Sequence, residues 1–204
     1  MDGSVRLAEI IASNIIGLCV IALFGAIFVN FFELDKRHDT KREKKSVVAT
    51  GTMTLFFIGF YFMIRFHIYV LPVDSSRLRL AMIIIGTVMV VLGCYINIRG
   101  RLALRKNWSN HIKIYEDHEL VTGDVYGWVR HPLYSSLILM FCGAALVYSN
   151  FGGFLATTAV FIPFMYYRAR QEEQMLRQFF SNYQEYKKQV GMFIPRFFKQ
   201  RSGT

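Results

Sequence analysis

The sequence reads as an all-α integral membrane protein of about five transmembrane helices with no Rossmann domain, and two observations lead there. The first is composition. Of 204 residues, 53% are hydrophobic and 19% charged, and the mean hydropathy is +0.31, whereas soluble domains hold nearer a quarter charged residues. The second is arrangement. Apolar runs long enough to cross a hydrocarbon core of about 30 Å at about 1.5 Å per residue alternate with short blocks of Lys and Arg. The formal net charge of +10 therefore reads as membrane topology. It does not read as nucleic-acid binding, because the basic residues do not line one polar face.

The predicted spans are residues 8–32, 47–70, 80–98, 133–148 and 151–167, within one membrane domain covering 1–204. Arg65 and His67 fall near the far end of the second span, where an arginine can snorkel to the interface. The last two spans are short for a bilayer. Little more than Ser149 and Asn150 separates them, so they form an antiparallel helical hairpin. Only Arg6, offset by Asp2, precedes the first run, and no small-residue cleavage site follows it, so that run is expected to be retained as a span. Cys19, Cys94 and Cys142 lie in three different runs without a C-x-x-C spacing, which marks them as packing residues.

Basic residues in short loops mark the cytoplasmic side. The segment after the first span holds Lys36, Arg37, Lys41, Arg42, Lys44 and Lys45, and the stretch after the third holds Arg99, Arg101, Arg105 and Lys106. The tail adds Arg168, Arg170, Arg177, Lys187, Lys188, Arg196, Lys199 and Arg201, while the two intervening turns carry only Arg77 and Arg79. The N-terminus is thus expected outside and the C-terminus in the cytosol, in a plasma or inner membrane or the endoplasmic reticulum. In the tail, Met175, Leu176, Phe179, Phe180, Tyr183, Tyr186 and Val190 recur at three- and four-residue spacing, which predicts an amphipathic helix ending near Gly191 and Pro195.

Chemistry is sought in the polar segments 99–131 and 168–204. No G-x-G-x-x-G, P-loop, G-x-S-x-G or H-E-x-x-H is present. The stretch from Leu120 to Tyr134, LVTGDVYGWVRHPLY, ends where a span begins, with Pro132 at the helix start. The positive end of that helix, with Arg130 and His131 beside it, suits the carboxylate of an amino-acid-like ligand; on spacing alone an interfacial Arg-His-Pro cap on a span is the plainer reading. Arg168, Arg170, Glu172 and Glu173 follow the last span, Arg168 and Glu172 being four apart on one face. Such a group is commonly a solvated rim. The hairpin nevertheless returns the chain to the face it left, so the two clusters should be neighbours. His111, His118 and His131 lack a Cys or a paired ligand at helical spacing, so no metal is expected.

The run YGWVRHPLY from Tyr126, followed after the hairpin by RARQEEQMLRQFF from Arg168 and then Tyr183 and Tyr186, resembles the C-terminal core of isoprenylcysteine carboxyl methyltransferases and their prokaryotic relatives. NWS at Asn107 and HELVT at His118 fit the same pattern, and the resemblance covers about residues 99–195. It implies a pocket for S-adenosyl-L-methionine built from His118, Leu120, Val121, Gly123, Tyr126, Arg130, His131, Pro132, Tyr134, Glu172 and Glu173. A ribose and an ammonium each want a carboxylate, and a sulfonium can rest on Tyr126, Trp128 or Tyr134. Arg168 or Arg170 is the candidate holder of an acceptor carboxylate. Ser136 and Ser181 stand where the family commonly has glycine. The implied partners are the lipid bilayer and a lipidic, prenylcysteine-like or small methyl acceptor. Phospholipid amines and small thiols remain alternative acceptors, as does an NADPH-dependent sterol-reductase-like enzyme, against which five spans argue. A transporter would show mid-bilayer charges or inverted repeats, and neither is seen.

Overall fold

The computed structural model describes residues 3–34, 42–44, 47–104, 112–114 and 120–196. Its elements are α1 (Gly3–Leu34), β1 (Arg42–Lys44), α2 (Val47–Arg65), α3 (Ser76–Leu104), β2 (Ile112–Ile114), α4 (Pro132–Val147), α5 (Phe151–Ala156), α6 (Ile162–Phe179) and α7 (Tyr183–Gln189). Among the described residues the regular structure is helical apart from two isolated bridges and the ribbon β1–β2, antiparallel with Arg42 opposite Ile114. Gly3–Val29 and Ser76–Leu104 are each long and apolar enough to cross a membrane. Leu18, Ile21, Phe28, Leu55 and Val88 point outward from the bundle, which suits hydrocarbon and not water.

The centre of the bundle is the α3–α4 contact. Gly86, Gly93 and Gly100 recur every seventh residue of α3, so they share one face. A Cβ on Gly86 would lie 2.5 Å from the Gly143 carbonyl oxygen, and one on Gly93 would lie 2.8 Å from that of Ser136. Small residues let two backbones approach where lipid gives no hydrophobic drive for association. We expect Gly143→Val, whose Cβ would meet the Gly86 oxygen at 2.6 Å, to cost about 1–3 kcal/mol. The melting temperature in detergent should fall clearly, while Gly25→Val, with open space around it, should leave it unchanged.

Around this contact Phe56 and Phe60 of α2 meet Phe141 of α4 and Phe161, with ring centroids 4.6–5.1 Å apart for Phe56–Phe161, Phe60–Phe141 and Phe56–Phe141. Phe161 closes a π turn, Thr157–Phe161, that joins α5 to α6 into one helical column. Two local causes widen the turn: Thr157 and Thr158 hydroxyls donate to the Gly153 and Phe154 carbonyls, and Pro163 brings no N–H. After α6 the chain turns extended at Phe180 (φ −118°, ψ 109°) before α7, so the tail is helical in two pieces.

One end of the bundle gathers the start of α1, the end of α2, the start of α3 and the α4–α5 turn. Arg79 pairs with Glu9 and donates to Ser149 Oγ at 2.6 Å. Asn150 Nδ2 donates to the Met63 and Ile68 carbonyls at 3.1 and 3.0 Å, while its Oδ1 accepts from Gly153 N. Ser149 takes the left-handed conformation that the tight turn requires (φ 47°). By connectivity the end of α3, the start of α4 and the charged part of α6 lie at the opposite end.

Candidate functional site

At that opposite end the chain reaches α4 through an extended stretch and a 3-10 turn, Asp124–Gly127. Val125 and Tyr126 are buried, whereas Thr122 and Gly123 are exposed and nothing lies within 4 Å of a Cβ placed on Gly123. Leu120 and Val121 are half-buried. The turn is held from α3 by Arg99, whose Nη2 donates to Asp124 Oδ2 at 2.6 Å. Pro132 opens α4 and is fully buried, with His131 as the preceding cap residue. Below it, Asn97 of α3 donates to Ser136 Oγ at 2.7 Å and accepts from Arg101 Nε at 2.8 Å. The Ser136 hydroxyl also donates to the Leu133 carbonyl, so the serine that stands in place of glycine is fully engaged.

Arg130 and Glu173 form a buried ion pair. Arg130 Nε and Nη2 both donate to Glu173 Oε1, at 2.9 and 2.7 Å, and Lys187 Nζ of α7 donates to Oε2 at 2.7 Å. Burial opposes the charge on Glu173, but its contact with His131 and the hydrogen bonds from Lys187 and Arg130 outweigh that and hold its pKa well below the usual carboxylate range.

Glu172, one residue earlier, has a different environment. Its side chain is 26% exposed; Oε1 accepts from the Tyr134 hydroxyl and Oε2 lies 3.4 Å from His131 Nδ1. The Tyr134 and His131 rings stack, 6° from parallel and 5.6 Å apart. Burial alone would raise the Glu172 pKa; the His131 hydrogen bond and charge, Tyr134 and the nearby Arg168 charge lower it instead. Burial likewise pulls the His131 pKa down, and Glu172 and Glu173 together push it above its ordinary value. His131 Nε2 is buried without a hydrogen-bond partner, its contact with Glu173 Oε1 being long at 3.5 Å.

The two candidate arginines part company. Arg168 is buried at 7% exposure one helical turn before Glu172, and its Nη1 donates to the Met53 sulfur of α2 at 3.1 Å. Arg170 is exposed, with its guanidinium 6.0 Å over the Tyr166 ring. Tyr126, Arg130, His131, Pro132, Tyr134, Glu172, Glu173 and Arg168 thus converge, and Leu120, Val121 and Gly123 lead into them along the chain. His118 lies outside the described residues. Lys187 and Gly191, read from the sequence as a topology marker and a helix stop, and Phe193 were not read as parts of the site, because no periodicity links them to the Arg-His-Pro element. Tyr186, read there as part of the amphipathic tail pattern, donates its hydroxyl to the Tyr126 carbonyl at 2.7 Å.

A family model described as phospholipid methyltransferase matches residues 81–183, just over half of the chain. The chain belongs to that family. Within this phospholipid methyltransferase family it is similar to protein-S-isoprenylcysteine O-methyltransferases. It is 35% identical over 114 residues to a probable member from Oryza sativa subsp. indica, covering 54% of this chain and 60% of the rice protein. With that of Saccharomyces cerevisiae it shares 34% identity over 115 residues, covering 55% of this chain and 48% of the yeast protein. The chain therefore matches only about half the length of these relatives. A solved structure of the eukaryotic intramembrane Ras methyltransferase, isoprenylcysteine carboxyl methyltransferase, superposes with a TM-score of 0.54 at 26% identity, over 74% of this chain and 53% of that one. The resemblance carried by the Arg-His-Pro and Glu-Glu motifs holds.

Proposed function

We propose that this chain is an S-adenosyl-L-methionine-dependent membrane methyltransferase acting on the carboxylate of a lipidic, prenylcysteine-like acceptor at the cytosolic face. The observation that carries it is the placement of Arg168 one turn from Glu172, beside the Glu172–Tyr134–His131 cluster. The family implies a methyl donor, and the residues present fit one with ribose hydroxyls and an ammonium group. Glu172 keeps part of its carboxylate open, His131 Nε2 has unused hydrogen-bonding capacity, and the backbone at Thr122 and Gly123 is open. When bound, the donor supplies an electrophilic methyl group on a sulfonium.

The chain's own residues then have a limited task. Displacement by a carboxylate needs no general base, so positioning dominates. Glu172 holds the donor's polar groups, with Tyr134 and His131 fixing the carboxylate. Arg168 presents its planar fork to the acceptor's carboxylate. The bundle is read as five spans with a C-terminal amphipathic segment, the N-terminus outside and residues 33–46, 99–131 and 168–204 cytosolic. Three features support that topology: the basic-loop alternation, the ribbon joining 42–44 to 112–114, and the cluster at the opposite end. A cysteine placed at position 40 should react only from the cytosolic side.

The functional reading is tested by calorimetry and methyl transfer with purified protein in detergent. We expect S-adenosylhomocysteine to bind and a farnesylated cysteine to be methylated. Binding of NADPH without S-adenosylhomocysteine would replace this reading by a reductase; methylation of a phospholipid amine or a small thiol alone would keep the donor and change the acceptor.

A further inference from the structure

Among the described residues Glu173 is the one buried carboxylate, 1% exposed, and both of its oxygens already accept from cationic side chains. Oε1 accepts both Arg130 donors and Oε2 accepts Lys187, with Arg177 a further 3.9 Å contact. Arg130 spends its remaining Nη1 on the Lys187 and Val190 carbonyls. Its own N–H donates to the Gly191 carbonyl at 2.8 Å, and the His131 N–H donates to that of Met192 at 3.1 Å. Ser135 Oγ reaches the Phe193 carbonyl at 2.9 Å, and the Phe193 ring meets His131 edge-on at 6.1 Å. The segment 186–193 is therefore a strap lying against Tyr126, His131 and Ser135. Gly191 is required in it, because a Cβ there would collide with the Ile194 carbonyl oxygen.

We propose that Glu173 is a positioning residue: through Arg130 and Lys187 it latches the 186–193 strap, and the latched strap is the wall that holds His131 and Tyr126 in place for the methyl donor. The inference rests on reading the adjoining cluster as the donor site, and it separates the two glutamates. Glu172 touches the donor; Glu173 acts at one remove. A buried carboxylate neutralised by two cations, one from each element it joins, is suited to registering those elements and unsuited to a neutral ribose.

The test uses the full chain in detergent carrying Met192→Cys on the strap, with the protein lacking that cysteine as background. Glu173→Gln should speed maleimide labelling at position 192 about tenfold and raise the donor KM by a similar factor, with kcat at saturating donor within about threefold. Lys187→Met should move both in the same direction by a smaller factor, and it keeps the test decisive if Glu173→Gln does not fold, since Lys187 is partly exposed. Glu172→Ala should raise the KM without changing the labelling. A raised KM with unchanged labelling in the Glu173 and Lys187 variants would make Glu173 a donor ligand and overturn the proposal. Faster labelling with an unchanged KM, or no change in either, would overturn it equally. If the parent protein binds no S-adenosylhomocysteine, the functional reading fails while the labelling still reports whether the latch exists.

Discussion

Arg168→Ala is expected to lower methyl transfer about 100-fold while leaving the affinity for S-adenosylhomocysteine within about twofold, the signature of an interaction made with the acceptor alone. Arg168 is buried beside α2, donating to the Met53 sulfur and lying near Tyr134 and the Glu172 carboxylate. A planar guanidinium carries five N–H donors, enough to serve these neighbours and an acceptor carboxylate together. Arg168→Lys should recover little, since an ammonium cannot make two parallel bonds to a carboxylate. Arg170→Ala should be close to the parent, because Arg170 is exposed and its neighbour is the Tyr166 ring. Steady-state rates and product-donor calorimetry on the three variants check this. If Arg168→Ala loses donor affinity as severely as a Glu172 variant, Arg168 is a structural partner of Glu172 and the acceptor is held elsewhere.

The parts legible in the sequence were those set by local rules. Pro132 ahead of an apolar run marks a helix start, and α4 does begin there. The tight turn at Ser149 and Asn150 brings Glu172 back beside His131. Periodicity was less informative in the tail. The three- and four-residue spacing continues from Met175 to Val190, yet the helix breaks at Phe180, because a short turn can leave the apolar phase nearly intact. Partners distant in sequence are not visible in it: Arg130 and Glu173 are 43 residues apart and no spacing rule links them, yet in the structure they form a buried, hydrogen-bonded pair. The seven-residue glycine stripe on α3 was present to be read, but its meaning depends on Gly143 and Ser136 facing it.

Glu172→Ala should weaken donor binding by about 1.5–3 kcal/mol, the scale of a hydrogen bond to a charged group, or roughly 10- to 150-fold in the dissociation constant. A pH signature should accompany it. Glu172 is depressed below its ordinary value of 4.5, so its contribution to stability is present above that value and is lost as pH falls through the depressed one. His131 is raised above 6.5, so its contribution is complete below 6.5 and is lost as pH rises through the raised value. The charged pair thus operates between the depressed glutamate and the raised histidine values, and it weakens on the alkaline side first for a protein kept near neutrality. Thermal melting of the wild type should therefore decline as pH rises through the raised histidine value. Either His131→Gln or Glu172→Gln should flatten that decline, the first by removing the titrating ring and the second by removing the carboxylate that Tyr134 and His131 share. Glu173 also faces His131, so Glu172→Gln should leave a residual slope that His131→Gln does not. An unchanged alkaline slope in His131→Gln would place the titrating group elsewhere and remove His131 from the electrostatics of the site.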